Sequence, residues 1–272
     1  MINSLVIKII LLLVIIVCLI APFTFLKPKF PDDALNISSS KNRSKIISEK
    51  PLHSVQLPNF ASIKDSMNKK RAFFDFLKPV VIKQNKAIIQ TRKKIETWIK
   101  SAANGIKLSE ENTQQLNNLV KKYRIDKTAS ITEKLNALLV KVDIIPMPLV
   151  LVQAANESAW GTSRFARIGL NFFGIWCYQK GCGMIPKNRN TGAKHEVAAF
   201  KSVNQAVSYY FENINTNNAY KELRSIRSNL RAQQQPLTAE RLVAGLLRYS
   251  ERGSKYVEEL THMLRQNKKL LQ

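Results

Sequence analysis

The sequence predicts an α+β protein dominated by helix, with one small β element set among the helices. Glycine is scarce, with 9 in 272 residues. Long apolar and aromatic side chains recur at spacings of three and four along most of the chain, the period of one helix face. The remaining signal is local: glycines gather at Gly161, Gly169, Gly174, Gly181, Gly183 and Gly192, ahead of Glu196-Val-Ala-Ala-Phe200, where a short strand pair is expected to end.

The elements follow in order. Residues 1–27 read as a membrane anchor or signal segment, because Ile9 to Leu26 carries no charge and follows Lys8. That length just spans a bilayer and equally suits a secretory signal. Ala21-Pro22-Phe23 makes a poor cleavage site, which favours an uncleaved anchor. Residues 28–62 hold Ser38-Ser39-Ser40, scattered prolines and many charges, the composition of a flexible basic tether.

Residues 63–143 are expected to be helical and to pack on residues 144–272. Phe73, Phe76, Leu77 and Val80 form one stripe, continued by Ile88, Ile95, Trp98 and Ile99. Ser109-Glu110-Glu111-Asn112 resembles a helix start, and Ile131, Leu135, Leu138, Leu139 and Val142 make another apolar face. These stripes mean core packing, and no cofactor box is visible in them. In residues 144–272, Pro146 and Pro148 open a helix, as proline in a first turn does. The glycine-rich loops and the strand pair come next, then a helix through Val203 to Ile214. One or two closing helices run from Thr238 to Leu271, with a break at Arg252-Gly253.

Charge narrows the partner. The chain has 43 Lys+Arg against 19 Asp+Glu, a net charge of +24. Between Lys41 and Lys141 there are 22 basic and 8 acidic residues, so most of the surplus precedes the second half of the chain. The partner is expected to be anionic: nucleic acid, anionic lipid or the carboxylate-bearing cell wall. No helix-turn-helix, zinc-finger or aromatic-basic sheet signature supports nucleic acid.

Of the three cysteines, Cys18 lies in the apolar segment. Cys177 and Cys182 suit a disulfide in an oxidising compartment, or two packed thiols. A zinc site would need two more ligands, with His195 alone nearby, so no metal is expected.

The densest chemical cluster is Gln153-Ala-Ala-Asn-Glu-Ser-Ala-Trp-Gly161. Glu157 falls near the end of the Pro148 helix, which Gly161 is placed to terminate. The negative helix end and an apolar wall from Trp160 both favour the uncharged acid. Glycosidic hydrolysis needs such a donor, because the leaving sugar oxygen must be protonated as the bond breaks. A lone glutamate at a helix end is more often simply solvated, so the surrounding motifs decide.

Those motifs are Glu157-Ser-Ala-Trp-Gly161, Asn171-Phe-Phe-Gly-Ile175, Phe200-Lys-Ser202, Asn218-Ala-Tyr220, and Tyr249 with Tyr256. In this order they resemble the bacterial glucosaminidase family, glycoside hydrolase family seventy-three, over about Ile144 to Leu264. Lys70-Arg-Ala-Phe73, Val142-Asp-Ile-Ile-Pro146 and Tyr249-Ser-Glu-Arg-Gly-Ser-Lys-Tyr256 extend the likeness to Met67, toward the Bax-type proteins of Gram-negative species.

The resemblance implies a lysozyme-like fold, with a helical lobe and a small β-hairpin lobe flanking a groove. It implies cleavage of peptidoglycan at the β-1,4 bond after N-acetylglucosamine, without a cofactor, in the periplasm, either membrane-anchored or secreted. The family's catalytic glutamate falls on Glu157 and its groove aromatic on Tyr220. Glu196 is the nearest candidate for a second carboxylate, though it suits a surface strand equally. Without it, water held by Tyr220 and Asn171, or the substrate's own acetamido group, would complete the reaction. Ser158, Trp160, Asn171, Phe173, Gly174, Trp176 and Tyr249 are the expected substrate contacts. The alternative is a wall-binding scaffold that keeps the fold without the activity.

Overall fold

The computed structural model describes residues 50–186, 189 and 192–272. The expected anchor, residues 1–27, and most of the expected tether lie outside them. Among the described residues no helix is long and apolar enough to cross a membrane.

Helix α1, Ser66–Ala103, is one continuous helix of 38 residues. Asp65 caps it by accepting the Asn68 amide at 2.8 Å. The stripes that read as successive segments join because Phe73, Phe74, Leu77, Val81, Ile88, Ile95 and Trp98 share one buried face. Helix α2, Glu110–Lys122, starts at the expected Ser109 cap. Helix α3, Ile131–Lys141, opens on a reciprocal cap between Ser130 and Glu133.

Helix α4, Met147–Ser158, has Pro148 in its first turn, as expected. Leu149 through Ala155 are all buried. A helix apolar on every side belongs in a core, and α1 and the C-terminal helix both pack on it. The helix that carries Glu157 is thus a rigid base.

Short helix α5, Arg164–Gly169, leads to three strands: β1 Trp176–Cys177, β2 Gly183–Met184 and β3 Glu196–Ala198. They form one antiparallel sheet in the order β1-β3-β2, so the expected strand pair is a three-stranded sheet. Trp176 pairs with Val197, as does Met184 from the other side. The sheet can be this tight only because residue 183 is glycine: a Cβ there would lie 2.0 Å from the Val197 carbonyl oxygen.

Helix α6, Val203–Thr216, matches expectation. Helix α7, Lys221–Ala232, was not anticipated. After it come α8, Ala239–Leu242, and α9, Ser254–Gln266, with Arg252-Gly253 in the break as expected. The architecture is mainly helical with one small antiparallel sheet, an α+β class.

Two contacts revise the expected organisation. The tether does not extend to residue 62: the Leu52 amide bonds the Ile168 carbonyl at 2.9 Å, and Phe60 is buried against Phe73 and Phe76. An aromatic ring with a pocket at hand gains more from burial than a tether gains from freedom. The second contact is a charged hub at the α3–α4 junction. Arg227 of α7, fully buried, donates to the Asp143 and Ile144 carbonyls at 3.1 and 3.0 Å and to Asn215 Oδ1 at 2.8 Å. Arg231 grips the Asp143 carboxylate through two bonds of 2.9 and 2.7 Å, and Arg92 of α1 lies 3.4 Å away. Burial alone would raise the Asp143 pKa, but the Arg231 hydrogen bonds and the three guanidinium charges hold it below its ordinary value. The hub binds α1, α3 and α7 to the segment that launches α4.

Candidate active site

The end of α4 sets the position of Glu157. Ala159, Trp160 and Gly161 have φ of 49°, 57° and 76°, three left-handed residues in a row. The helix therefore stops at Ala159, two residues before the glycine expected to end it. Ser158 locks this reversal: its hydroxyl donates to the Ala154 carbonyl at 2.6 Å and accepts the Gly161 amide at 2.9 Å. Ser158 is fully buried, which removes it from the expected substrate contacts.

Trp160 is also placed differently from expectation. Its indole packs on Phe73 and Phe74 of α1, at 5.9 and 5.2 Å between ring centres, with the Lys70 ammonium 5.3 Å away. The reversal turns it toward α1, and the groups that shift Glu157 are Tyr256, Arg252 and Glu259.

Glu157 is half-buried in the last turn of α4. Its Oε2 faces Gly174, an exposed residue at φ +63°, where an added Cβ would lie 3.0 Å from that oxygen. A side chain there would cover the carboxyl, and the backbone conformation disfavours one as well. The turn bearing Gly174 is held by Asn171. Its side-chain oxygen accepts the Phe173 and Ile175 amides at 3.3 and 3.0 Å, and its amide donates to the Ile175 and Ala198 carbonyls at 2.8 Å each. Phe173 stacks on Tyr210 at 4.2 Å, and its carbonyl accepts the Tyr249 hydroxyl at 2.8 Å. Asn171 and Phe173, each 1% exposed, shape the turn from within and do not reach a substrate as expected.

Four tyrosines crowd the carboxyl. The Tyr256 hydroxyl of α9 acts on it most strongly of the four, favouring its charged form. Tyr210 of α6, Tyr220 in the turn before α7, and Tyr249 ahead of α9 all feel its charge. Burial first, and the carboxylate beside them, push all four hydroxyls above the ordinary phenol value. Tyr220 is 7% exposed and lies 5.6 Å from the Tyr249 ring.

At the rim, Arg252 pairs with Glu259 at 2.7 Å, and Asn156 donates to the same Glu259 oxygen at 3.4 Å. Burial raises the Glu157 pKa above the ordinary glutamate value. The Tyr256 hydrogen bond and the Arg252 charge pull against this, and the Glu259 charge adds to it. The net direction is upward, toward an acid that keeps its proton.

Glu196 lies in a different setting. Its two oxygens accept the Gly181 and Gly183 amides at 3.0 and 2.9 Å. Those hydrogen bonds hold its pKa below the ordinary value. They cross the loop that the Cys177–Cys182 disulfide closes, so of the alternatives for this pair the structure has the disulfide. Trp176, 49% exposed, stacks on His195 with ring centres 4.2 Å apart and 7° between planes.

The structure thus brings Glu157, Gly174, Tyr220 and Tyr249 together, with Asn171 and Phe173 beneath them. Gln153, Tyr210, Arg252 and Glu259 were not singled out by sequence reasoning. Gln153 opens the cluster that holds Glu157 and Arg252 lies between Tyr249 and Tyr256, while Tyr210 lies on a buried helix face that reads as core.

A family model described as mannosyl-glycoprotein endo-beta-N-acetylglucosaminidase matches residues 132–269. The chain belongs to this glucosaminidase family, which supports a peptidoglycan-related glycosidase activity. It is 34% identical over 220 residues to Protein bax of Escherichia coli (strain K12), covering 80% of this chain and 77% of that protein. No solved structure matches it.

Proposed function

We propose that the chain is a peptidoglycan hydrolase that cleaves the β-1,4 bond after N-acetylglucosamine, with Glu157 as the general acid. The observation that carries this reading is a half-buried glutamate whose Oε2 lies directly against an exposed glycine turn, with burial pushing its pKa upward. Glu157 donates its proton to the leaving glycosidic oxygen as the bond to the anomeric carbon breaks.

The second half of the reaction needs a nucleophile. Both Glu196 oxygens are committed to loop amides, and Asn171 uses all its donors and acceptors on the backbone. Neither suits activating water. A route that needs neither is the substrate's own acetamido group. Its oxygen bonds the anomeric carbon as the leaving oxygen departs. Water then attacks that carbon, gives a proton to the Glu157 carboxylate and releases the acetamido oxygen. Tyr220 and Tyr249 line the carboxyl's surroundings, and the open face of the Trp176 indole offers a platform for a neighbouring sugar.

The activity belongs outside the cytoplasm. The disulfide suits an oxidising compartment, and the uncharged stretch from Ile9 to Leu26 suits delivery to the periplasm, whether anchored or secreted. The commitment of Glu196 also favours a second reading, a wall-binding protein without turnover.

One experiment separates them. The full chain is incubated with purified peptidoglycan, the products are reduced with borohydride, and the terminal sugar alcohols are identified by mass. New N-acetylglucosaminitol ends, absent with Glu157→Gln, support the proposal. New muramitol ends would move the cleaved bond, and retention on the wall with no new ends would leave the binding reading.

A further inference from the structure

Gln153 lies one helical turn before Glu157 on α4 and is fully buried. Its amide touches two tyrosines from different helices. The Tyr210 hydroxyl of α6 donates to Gln153 Oε1 at 2.5 Å. Gln153 Nε2 donates to the Tyr256 hydroxyl oxygen of α9 at 3.1 Å. A phenol that accepts from an amide keeps its own proton for another partner, and the Glu157 carboxyl is the charged group acting on Tyr256.

An amide accepts at one end and donates at the other, so the order of this chain sets its direction. We propose that Gln153 is a positioning residue: held by Tyr210, it turns the Tyr256 hydroxyl proton onto Glu157. One Glu157 oxygen is then always the acceptor from Tyr256, and the transferable proton is confined to the other. After transfer, the same hydrogen bond receives the new carboxylate without reorganisation. This role rests on Glu157 as the proton donor, since the chain ends there. The charged and titratable groups facing Glu157 are Tyr256, Arg252 and Glu259 on or ahead of α9, Tyr249 before it, Tyr210 on α6 and Tyr220 before α7. Of these, Gln153 hydrogen-bonds Tyr210 and Tyr256.

The test titrates the Glu157 carboxyl directly in the full chain, by NMR with 13C in the glutamate side-chain carboxyl. The Glu157 signal is the one missing from Glu157→Gln. Tyr256→Phe removes a hydrogen bond that favours the charged form and should raise the midpoint by about 1 pH unit. Gln153→Leu leaves the Tyr256 proton unoriented and should raise it by a smaller amount. Tyr210→Phe frees the amide and should act in the same direction, which keeps the test open if Gln153→Leu does not fold.

A midpoint that stays in place or falls in Gln153→Leu or Tyr210→Phe overturns the proposal, whatever happens to Tm, and leaves Gln153 a packing residue. The titration needs no substrate. A protein that passes it yet releases no sugar ends would overturn the hydrolase reading alone.

Discussion

Glu157 and Glu196 both expose little of their side chains, and they differ in what surrounds the carboxyl. Glu196 is 6% exposed, against a half-buried Glu157, yet its pKa is lowered and that of Glu157 is raised. The donors decide. Glu196 accepts two backbone amides held in place by a short sheet and a disulfide. Glu157 has one tyrosine hydroxyl, an exposed arginine already paired with Glu259, and low-polarity surroundings. A carboxyl supplied with fixed donors is held toward its charged form, while one whose burial outweighs its donors is pushed toward the neutral acid. Asp143 extends the series: it is 2% exposed, but three guanidinium groups keep it charged.

The largest effect expected outside the active site is at Asp143. Asp143→Asn leaves buried guanidinium groups without a counter-charge and should cost about 3–5 kcal/mol in denaturant unfolding. Because its folded pKa is depressed, the stability Asp143 contributes is present above its ordinary value of 3.8 and is lost as pH falls through the lower folded one. A wild-type protein whose unfolding free energy stays flat through that acid range would break the contrast with Glu157.

Next comes the loop around Glu196. Replacing both Cys177 and Cys182 by serine should cost about 2 kcal/mol through the freed denatured chain. Hydrolysis should persist, because the Glu196 hydrogen bonds still shape the loop. Loss of activity without unfolding would bring that loop into the chemistry.

A smaller effect concerns the stability of Glu157 itself. Its folded pKa is raised, so its contribution is full below the ordinary value of 4.5 and is lost as pH rises through the folded one. Glu157→Gln removes that loss. The variant should melt no lower than wild type at neutral pH and should gain on it as pH rises from 4 to 8. A melting temperature that falls further behind with rising pH would contradict the raised pKa.

The smallest effects lie at the rim. Arg252→Gln should raise the alkaline limb of the rate profile and Glu259→Gln should lower it, each by about a few tenths of a pH unit because both groups are exposed and screened. Added salt should shrink both shifts, and shifts of the same sign would contradict the opposed roles of these two charges.

Much of this was legible in the sequence. Caps such as Ser109 and the proline-opened α4 are local events, and the apolar stripe of α1 marks one face. Glu157 stood out because helix end and motif coincide. What escaped was set by the tertiary fold. The left-handed run from Ala159 to Gly161 carries Trp160 away to α1 and buries Ser158, which spacing alone does not show. Helix α7 escaped because its buried face includes Arg224 and Arg227, charges that suggest solvent until Asp143 and the carbonyls around it are seen. Gln153 looks like one polar residue in a core helix until two tyrosines arrive from α6 and α9.

The decisive comparison sets Glu157→Gln and Glu196→Gln side by side, with initial rates of reducing-end release from peptidoglycan measured at equal wall binding. Glu157→Gln should lose at least about 100-fold, while Glu196→Gln should keep most of its rate. Equal losses, or a larger loss at Glu196, would contradict Glu157 as the proton donor and Glu196 as a loop anchor.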